Sequence, residues 1–261
     1  MTRLMGVVNV TPDSFSDGGL YLDPEAAIAH GRELVAAGAE ILDVGGESTR
    51  PGAKAVSEEE ELRRVVPVIR GLRDLGCELS VDTSKAPVAA AALDAGAAIV
   101  NDVTALRGDP EMAALCAERG ATVVLMHMLG EPRTMQDDPR YEDVVTEVQA
   151  FLAERLEAAV AAGIAGERIW LDPGIGFGKT ADHNLELLRR LGELRELGRP
   201  LVVGTSRKSF IGRFDGSAAG ERLGGTIASS VLAAAEGAAV LRVHDVAEVR
   251  QALTVATAIL G

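Results

Sequence analysis

The chain has few cysteines and few aromatic residues. Its 261 residues include only Cys77 and Cys116, which lack the paired spacing of a metal or redox site, so we expect two reduced cysteines. A chain of this length buries a core large enough to fold without disulfides. Aromatic residues make up 3%, so the core must consist mainly of aliphatic side chains, and stacking platforms for single-stranded nucleic acid are not expected.

Basic residues are also scarce, and long apolar runs are missing. Lys and Arg number 26 against 39 Asp and Glu, which gives a net charge of -13 and argues against a nucleic-acid partner. The longest stretch without a charged residue, 223–235, is shorter than the roughly 18 apolar residues that a spanning helix needs. The first residues contain too short an apolar stretch for a signal peptide. We therefore expect a cytoplasmic protein with no membrane partner.

One pattern recurs seven times along the chain, and the opening apolar run makes an eighth strand. A short, nearly continuous apolar run, typical of a strand buried on both faces, follows a glycine that we expect to end the preceding helix. The first run is LMGVVNV, and the others follow Gly38, Gly76, Gly96, Gly120, Gly166, Gly198 and Gly237. Segments with helical apolar spacing, such as 58–75, 141–162 and 221–235, lie between the runs.

Eight strands alternating with helices in about 250 residues predict an α/β fold, the (β/α)8 or TIM barrel. A doubly wound open sheet is the structural alternative. The repeating units continue evenly to the end without a linker or a change of composition, which favours the barrel. The prediction is therefore a single domain over residues 1–261.

Polar residues are concentrated where the predicted strands end, and in a barrel the active site lies at this end of the strands. Any one of these residues could simply cap the helix or turn that follows, but capping explains the whole ring poorly. The ring consists of Asn9, Asp43, Glu47, Asp82, Asn101, Asp102, His127, Asp172, Ser206, Arg207, Lys208, Arg242, His244 and Asp245.

The predicted ring has two chemically different halves. Asp82, Asn101 and Asp172 follow strands 3, 4 and 6 and suit a flat heterocycle that presents several N–H donors along one edge. Strands 1, 2 and 8 are neighbours in a closed barrel, and their ends carry residues that suit a phosphate or diphosphate. Those residues are Asn9, Ser48, Thr49, Arg50, Arg242 and His244, and Lys208 is expected between the two halves.

Eight segments, in order from Asn9 to Asp245, resemble the dihydropteroate synthase family. They are NVTPDSFSDGG, GGESTRPGA, SVDTSKAPVA, IVNDVTA, MHMLGEPRTMQ, LDPGIGFGK, GTSRKSFIG and RVHDV. The resemblance implies a TIM barrel and a transferase that needs Mg2+. Such an enzyme joins 4-aminobenzoate to (7,8-dihydropterin-6-yl)methyl diphosphate, releasing diphosphate and giving 7,8-dihydropteroate for tetrahydrofolate synthesis. It also implies a homodimer.

The resemblance further assigns roles to individual residues. Asp82, Asn101, Asp172 and Lys208 match the pterin contacts of the family, and Asp82, Asp172 and Lys208 are the expected catalytic residues. Asn9 matches a residue that helps to hold Mg2+ and the diphosphate, while Thr49, Arg50, Arg242 and His244 match diphosphate or anion contacts. Phe15, Pro51 and Ser209 match the 4-aminobenzoate side, where sulfonamides compete in the family. Asp13 and Asp17 fall on the first mobile loop.

The chemistry favours a dissociative substitution, because the aniline nitrogen of 4-aminobenzoate is a weak nucleophile. We expect diphosphate to leave first, stabilised by Mg2+ and the basic residues. The methylene cation left behind is delocalised into the pterin ring, and Asp172 and Asp82 stabilise its charge. The loops after strands 1 and 2 then close over the site, position the amine and exclude water.

Three other functions remain open on the sequence. A pterin-dependent methyltransferase domain shares the pterin edge but should lack the STRPG and SRKSF segments found here. A Schiff-base aldolase could use Lys208, because Arg207 and Arg242 nearby could lower the pKa of its amine. A non-catalytic pterin-binding paralogue is disfavoured, because every expected position is occupied.

Overall fold

In the computed structural model, the residues described are 2–11, 23–49, 53, 55–130 and 134–260. Within them, eight strands alternate with helices. The strands are β1 (Arg3–Asn9), β2 (Ile41–Gly45), β3 (Glu78–Asp82), β4 (Ile99–Asp102), β5 (Thr122–Met126), β6 (Ile169–Asp172), β7 (Val202–Val203) and β8 (Val240–Val243). The helices are α1 (Pro24–Ala37), α2 (Glu58–Leu72), α3 (Ala86–Ala95), α4 (Met112–Arg119), α5 (Val144–Ala161), α6 (Ala181–Arg189), α7 (Ser209–Asp215), α8 (Leu223–Ala235) and α9 (Val246–Leu260).

The strands form one parallel sheet that closes on itself. Their order is β6-β5-β4-β3-β2-β1-β8-β7, and the seam between the two end strands is closed by a single parallel bridge between Leu171 and Leu201. At this seam the Leu171 N–H donates to Pro200 O at 2.9 Å. The predicted (β/α)8 barrel is confirmed, and the open doubly wound sheet is excluded.

The two faces of the strands pack differently. On the inner face, a buried apolar layer fills the part of the barrel nearer the N-terminal ends of the strands. It consists of Met5, Ile41, Ile99, Val124, Val202 and Val240, with Trp170 packed against it. The alternate strand residues, such as Leu42 and Val100, join the larger core shared with the helices. Because side chains alternate along a strand, the inner face two residues further on carries Asp43, Asn101, Asp172 and Arg242. The barrel interior therefore changes from apolar to polar towards the C-terminal ends of the strands.

Several predicted boundaries shift. Helix α5 begins at Val144 rather than residue 141, because the Asp143 side chain accepts hydrogen bonds from the N–H groups of Val145 and Thr146. The prediction that Gly166 ends a helix is wrong, since Gly163 follows α5 and Gly166 begins a short 3-10 turn. In the described ranges, no helix combines the length and apolar character needed to cross a bilayer.

Candidate active site

A cavity of about 530 Å³ opens at the C-terminal ends of the strands, within the size range of small-molecule sites. Seven residues to which the resemblance assigns roles line it, namely Asn9, Thr49, Asp82, Lys208, Ser209, Arg242 and His244, and so do Glu47, Ser48, Ser206 and Arg207 of the predicted strand ends. Asn101 and Asp172 do not line the cavity, and both are buried, with 6% and 7% of their surface exposed. The predictions for Asp13, Phe15, Asp17, Arg50 and Pro51 lie outside the described residues.

Arg242 joins the two halves that the sequence suggests are separate. Its Nε donates to Asp43 Oδ2 at 2.6 Å, and its Nη2 donates to Asp82 Oδ2 at 2.9 Å. Asp43 is fully buried and also accepts hydrogen bonds from Ser80 Oγ at 2.6 Å and Asn101 Nδ2 at 3.1 Å. The expected anion-binding arginine is thus part of the polar network beneath the predicted pterin edge.

Asp43 is the centre of this buried polar network, and the sequence alone assigns it no specific role. It appears there only as one strand-end residue among many. Asp43 lies on the inner face of β2, two residues after Ile41, and the apolar run of a strand buried on both faces does not show which residues point inward. A carboxylate at such a buried position requires a cationic partner inside the barrel.

Burial controls the ionisation of the two predicted catalytic carboxyls. Burial raises the pKa of Asp82 to about 7 against the opposing effect of Arg242, and the Asp43 carboxylate adds to the increase. Burial also raises the pKa of Asp172, while the positive charge of Lys208 acts in the opposite direction. Carboxylates in this environment are stabilised by any positive charge or N–H donor that enters the cavity.

Asp172 begins a glycine-rich loop that packs against the end of β5. Its Oδ1 accepts a hydrogen bond from Gly174 N at 2.7 Å. Gly174 has φ 67°, and a Cβ at this position would lie 1.9 Å from His127 O. The chain turns tightly here, and only glycine fits at this point of close approach.

Lys208 lies against this loop. Its Nζ donates to Ile175 O and lies 4.7 Å from the centroid of the Phe177 ring. Burial lowers the pKa of Lys208 to about 8, with a smaller contribution in the same direction from Arg242 and an opposing one from Asp172. Phe177, which also lines the cavity, was not among the predicted site residues. Aromatic residues are rare in this chain, and this rarity was the one sequence feature that could have drawn attention to Phe177.

The turn that carries Lys208 is held from several sides. Arg207 adopts a left-handed conformation with φ 58°, and its guanidinium donates to both carboxylate oxygens of Asp245 at 2.6 and 3.1 Å. Its N–H donates to Thr226 Oγ1 at 3.0 Å. Arg207 and Asp245 thus support the position of Lys208.

Glu47 lines the cavity and anchors the loop that carries Ser48 and Thr49. Its carboxylate is paired with Lys85 Nζ, which is also paired with Glu61. The Glu61 side chain is 1% exposed and its Oε1 has no hydrogen-bond partner among the described residues. A single lysine therefore compensates two carboxylates beneath this loop.

Two of the strand-end residues have structural roles instead. His127 is buried, and its Nδ1 lies 2.8 Å from the Nζ of the buried Lys179. Burial, reinforced by Lys179, lowers the pKa of His127 to about 3, so its ring is neutral. Asp102 accepts hydrogen bonds from the N–H groups of Thr104 and Leu106. Its side chain therefore caps the turn that follows β4, which is the capping alternative considered for each strand-end residue. Neither His127 nor Asp102 is among the residues that line the cavity.

The described residues provide no group of three or more His, Cys, Asp or Glu side chains that could hold a metal ion. Asn9, in the cavity wall, offers a single amide oxygen. Mg2+ commonly combines one or two protein oxygens with substrate phosphate oxygens and waters. This donor set therefore fits Mg2+ only as a partner of a bound phosphate or diphosphate.

The fold and the cavity together match a known class of enzyme. The family model described as "Pterin binding enzyme" matches residues 5–244. The fold and site thus define a pterin-binding barrel enzyme.

Relatives refine this assignment. Dihydropteroate synthase of Escherichia coli (strain K12) is 48% identical over 260 residues, covering 99% of this chain and 92% of the relative. Yersinia pestis dihydropteroate synthase with a sulfonamide drug complex has a TM-score of 0.96 at 46% identity, covering 99% of this chain and 94% of that one. Xanthomonas albilineans dihydropteroate synthase in complex with 7,8-dihydropteroate has a TM-score of 0.89 at 48% identity, covering 100% and 94%. The chain belongs to the dihydropteroate synthase family, and the methyltransferase and aldolase interpretations are not favoured.

Proposed function

We propose that this chain joins 4-aminobenzoate to (7,8-dihydropterin-6-yl)methyl diphosphate, releasing diphosphate and forming 7,8-dihydropteroate for tetrahydrofolate biosynthesis. The observation that carries the proposal is one cavity that combines two kinds of group. Beneath it lie Asp172 and the Arg242–Asp43–Asn101 network, and its wall carries Asn9, Thr49 and His244. A heterocycle with N–H donors and a diphosphate tail is complementary to both.

The pterin edge is bound by groups whose orientation is already set. Asn101 donates its Nδ2 to Asp43, which leaves its amide oxygen to accept from a ligand N–H. Asp82 and Asp172 are the other acceptors. Lys208, beside the Phe177 ring, donates a hydrogen bond from Nζ to the pterin.

The substitution is dissociative in this proposal. Departure of the diphosphate leaves a methylene cation delocalised into the pterin ring, and the poorly solvated carboxylates of Asp82 and Asp172 stabilise it. Thr49, Arg50 and His244 stabilise the charge on the leaving group. Arg242 stabilises the leaving diphosphate less than the sequence suggests, because its positive charge is already paired with the carboxylates of Asp43 and Asp82.

Asn9 would hold Mg2+ together with the diphosphate oxygens. The ion supplies positive charge that neutralises the leaving group. 4-Aminobenzoate would then bind beside Ser209, Phe15 and Pro51, of which Ser209 is exposed on the cavity rim.

The proposal is tested by measuring diphosphate release with both substrates and Mg2+, for the wild type and for Lys208→Ala. We expect turnover that depends on 4-aminobenzoate in the wild type and a large loss in the variant. The absence of wild-type turnover would overturn the assignment and favour a non-catalytic pterin-binding protein. Steady-state kinetics in which 4-aminobenzoate binds before the pterin diphosphate would contradict the dissociative order.

We further propose that the protein acts as a homodimer in the cytoplasm. Four large apolar side chains of α8 and α9 are more than half exposed, namely Leu232, Val255, Ile259 and Leu260, and this supports a face covered by a second copy. Sedimentation velocity should give twice the mass of one chain, and Leu232→Glu should shift the protein towards the monomer.

A further inference from the structure

Ser206 holds the ring of His244 through two contacts. Its Oγ lies 2.9 Å from His244 Nδ1 and accepts a hydrogen bond from His244 N at 3.2 Å. Ser206 is 7% exposed, and both side chains line the cavity. The hydroxyl and the imidazole therefore meet at the wall where the diphosphate is proposed to bind.

The backbone contact favours one direction for the hydrogen bond between the two side chains, with Ser206 donating to His244 Nδ1. The backbone N–H of His244 donates to Ser206 Oγ, and the hydroxyl has a single proton of its own. In the described part of the chain, Ser206 Oγ has no partner other than His244, so Nδ1 is the acceptor available for this proton. An Nδ1 that accepts has no proton, and a neutral imidazole then carries its proton on Nε2.

We propose that Ser206 is a positioning residue that fixes His244 as the Nε2–H tautomer and so presents an N–H donor to a diphosphate oxygen. The inference rests on the proposed function for the identity of that oxygen. In the opposite tautomer, Nε2 would carry a lone pair, which repels a phosphate oxygen. The hydroxyl therefore decides whether a neutral His244 attracts or repels the leaving group.

The tautomer is measured directly by ¹⁵N NMR of protein labelled at its four histidines, with His244→Gln to assign the signal. At a pH where the ring is neutral, we expect the Nε2–H pattern for His244 in the wild type and a mixture of tautomers in Ser206→Ala. An Nδ1–H pattern in the wild type overturns the proposal. This wild-type measurement decides the question even if the alanine variant does not fold.

Binding of inorganic diphosphate with Mg2+ gives the second readout, by calorimetry. We expect about tenfold weaker binding in Ser206→Ala and recovery in Ser206→Thr, which keeps the hydroxyl. The matched control is Ser230→Ala, which removes another buried hydroxyl, 3.4 Å from Thr205 Oγ1 and outside the cavity lining. Equal losses in Ser206→Ala and Ser230→Ala contradict a positioning role. A wild type that binds diphosphate and shows the expected tautomer but lacks turnover contradicts only the proposed function.

Discussion

Arg242 Nε lies 2.6 Å from Asp43 Oδ2, although the two residues are 199 positions apart in the sequence. They meet because β8 and β2 both pair with β1, so the guanidinium passes across the interior of the barrel beside that strand. Asp43 is fully buried, and in the described part of the chain Arg242 is its ion-pair partner.

Arg242→Met should therefore destabilise the protein as well as impair catalysis. It leaves the Asp43 carboxylate buried without its cation, which costs about 3–5 kcal/mol of the free energy of unfolding. Urea denaturation measures the loss. The double variant Arg242→Met with Asp43→Asn should recover part of it, because the uncompensated charge is gone. A single variant within about 1 kcal/mol of the wild type would contradict the role of the pair.

The pH dependence of kcat/KM should report the ionisation of Lys208. Because burial lowers the pKa of this amine to about 8, its proton is lost as the pH rises through that value, and activity should fall above pH 8. Lys208→Arg keeps its charge at higher pH. The residual activity of this variant should lack the alkaline decrease near pH 8, and an unchanged decrease would assign it to another group.

Gly174→Ala should strongly destabilise the protein, although it replaces only one hydrogen atom with a methyl group. The new Cβ would lie 1.9 Å from His127 O, so the loop and the end of β5 must move apart. We expect a loss of at least ~3 kcal/mol in stability. Gly198→Ala is the matched control, because Gly198 has a similar φ of 66° but no atom within 4 Å of its Cβ position. That control should lose only about 1 kcal/mol, and equal losses would contradict the steric argument.

Lys85→Met should weaken the loop that carries Ser48 and Thr49. It leaves the buried carboxylate of Glu61 without a cation, at a cost of about 3 kcal/mol, and frees Glu47 in the cavity wall. We expect KM for the pterin diphosphate to rise more than kcat falls. Arg63→Met on the exposed face of α2 also removes an ion pair and should leave the free energy of unfolding nearly unchanged, because exposed pairs are screened by water.

Removal of Mg2+ by EDTA should abolish diphosphate release, and Asn9→Ala should raise the Mg2+ concentration needed for half-maximal activity. The reason is the loss of the single protein oxygen expected to contact the ion. Ser209→Ala, on the 4-aminobenzoate side, should leave this concentration unchanged. A requirement for Mg2+ that is identical in Asn9→Ala and the wild type would remove Asn9 from the metal site.

The sequence predicts the barrel well because strands buried on both faces have nearly continuous apolar runs. It also predicts which strand ends form the site, because all eight ends of a parallel barrel meet on one side. Asp82, Lys208 and His244 lie at the cavity for this reason alone.

The partners of these residues could not be predicted in the same way. The contact between Arg242 and Asp43 depends on the register of β8 and β2 against β1, which the residues do not encode locally. His127 ends an apolar run just as Asp172 does, yet it points into a pocket with Lys179 and Phe151. Whether a strand-end residue faces the cavity or the helices depends on one step of alternation, and apolar runs do not show that step.

The seam between β6 and β7 is the place where the described sheet has the least pairing. Asp172 ends β6 and Lys208 follows β7, so the two residues stand on opposite sides of the single bridge between Leu171 and Leu201. Local unfolding of the sheet should begin at this seam, because the fewest backbone hydrogen bonds must break there. A pterin held by both residues would tie the two edges together, so substrate binding should slow amide exchange at Leu171 more than at the other strands.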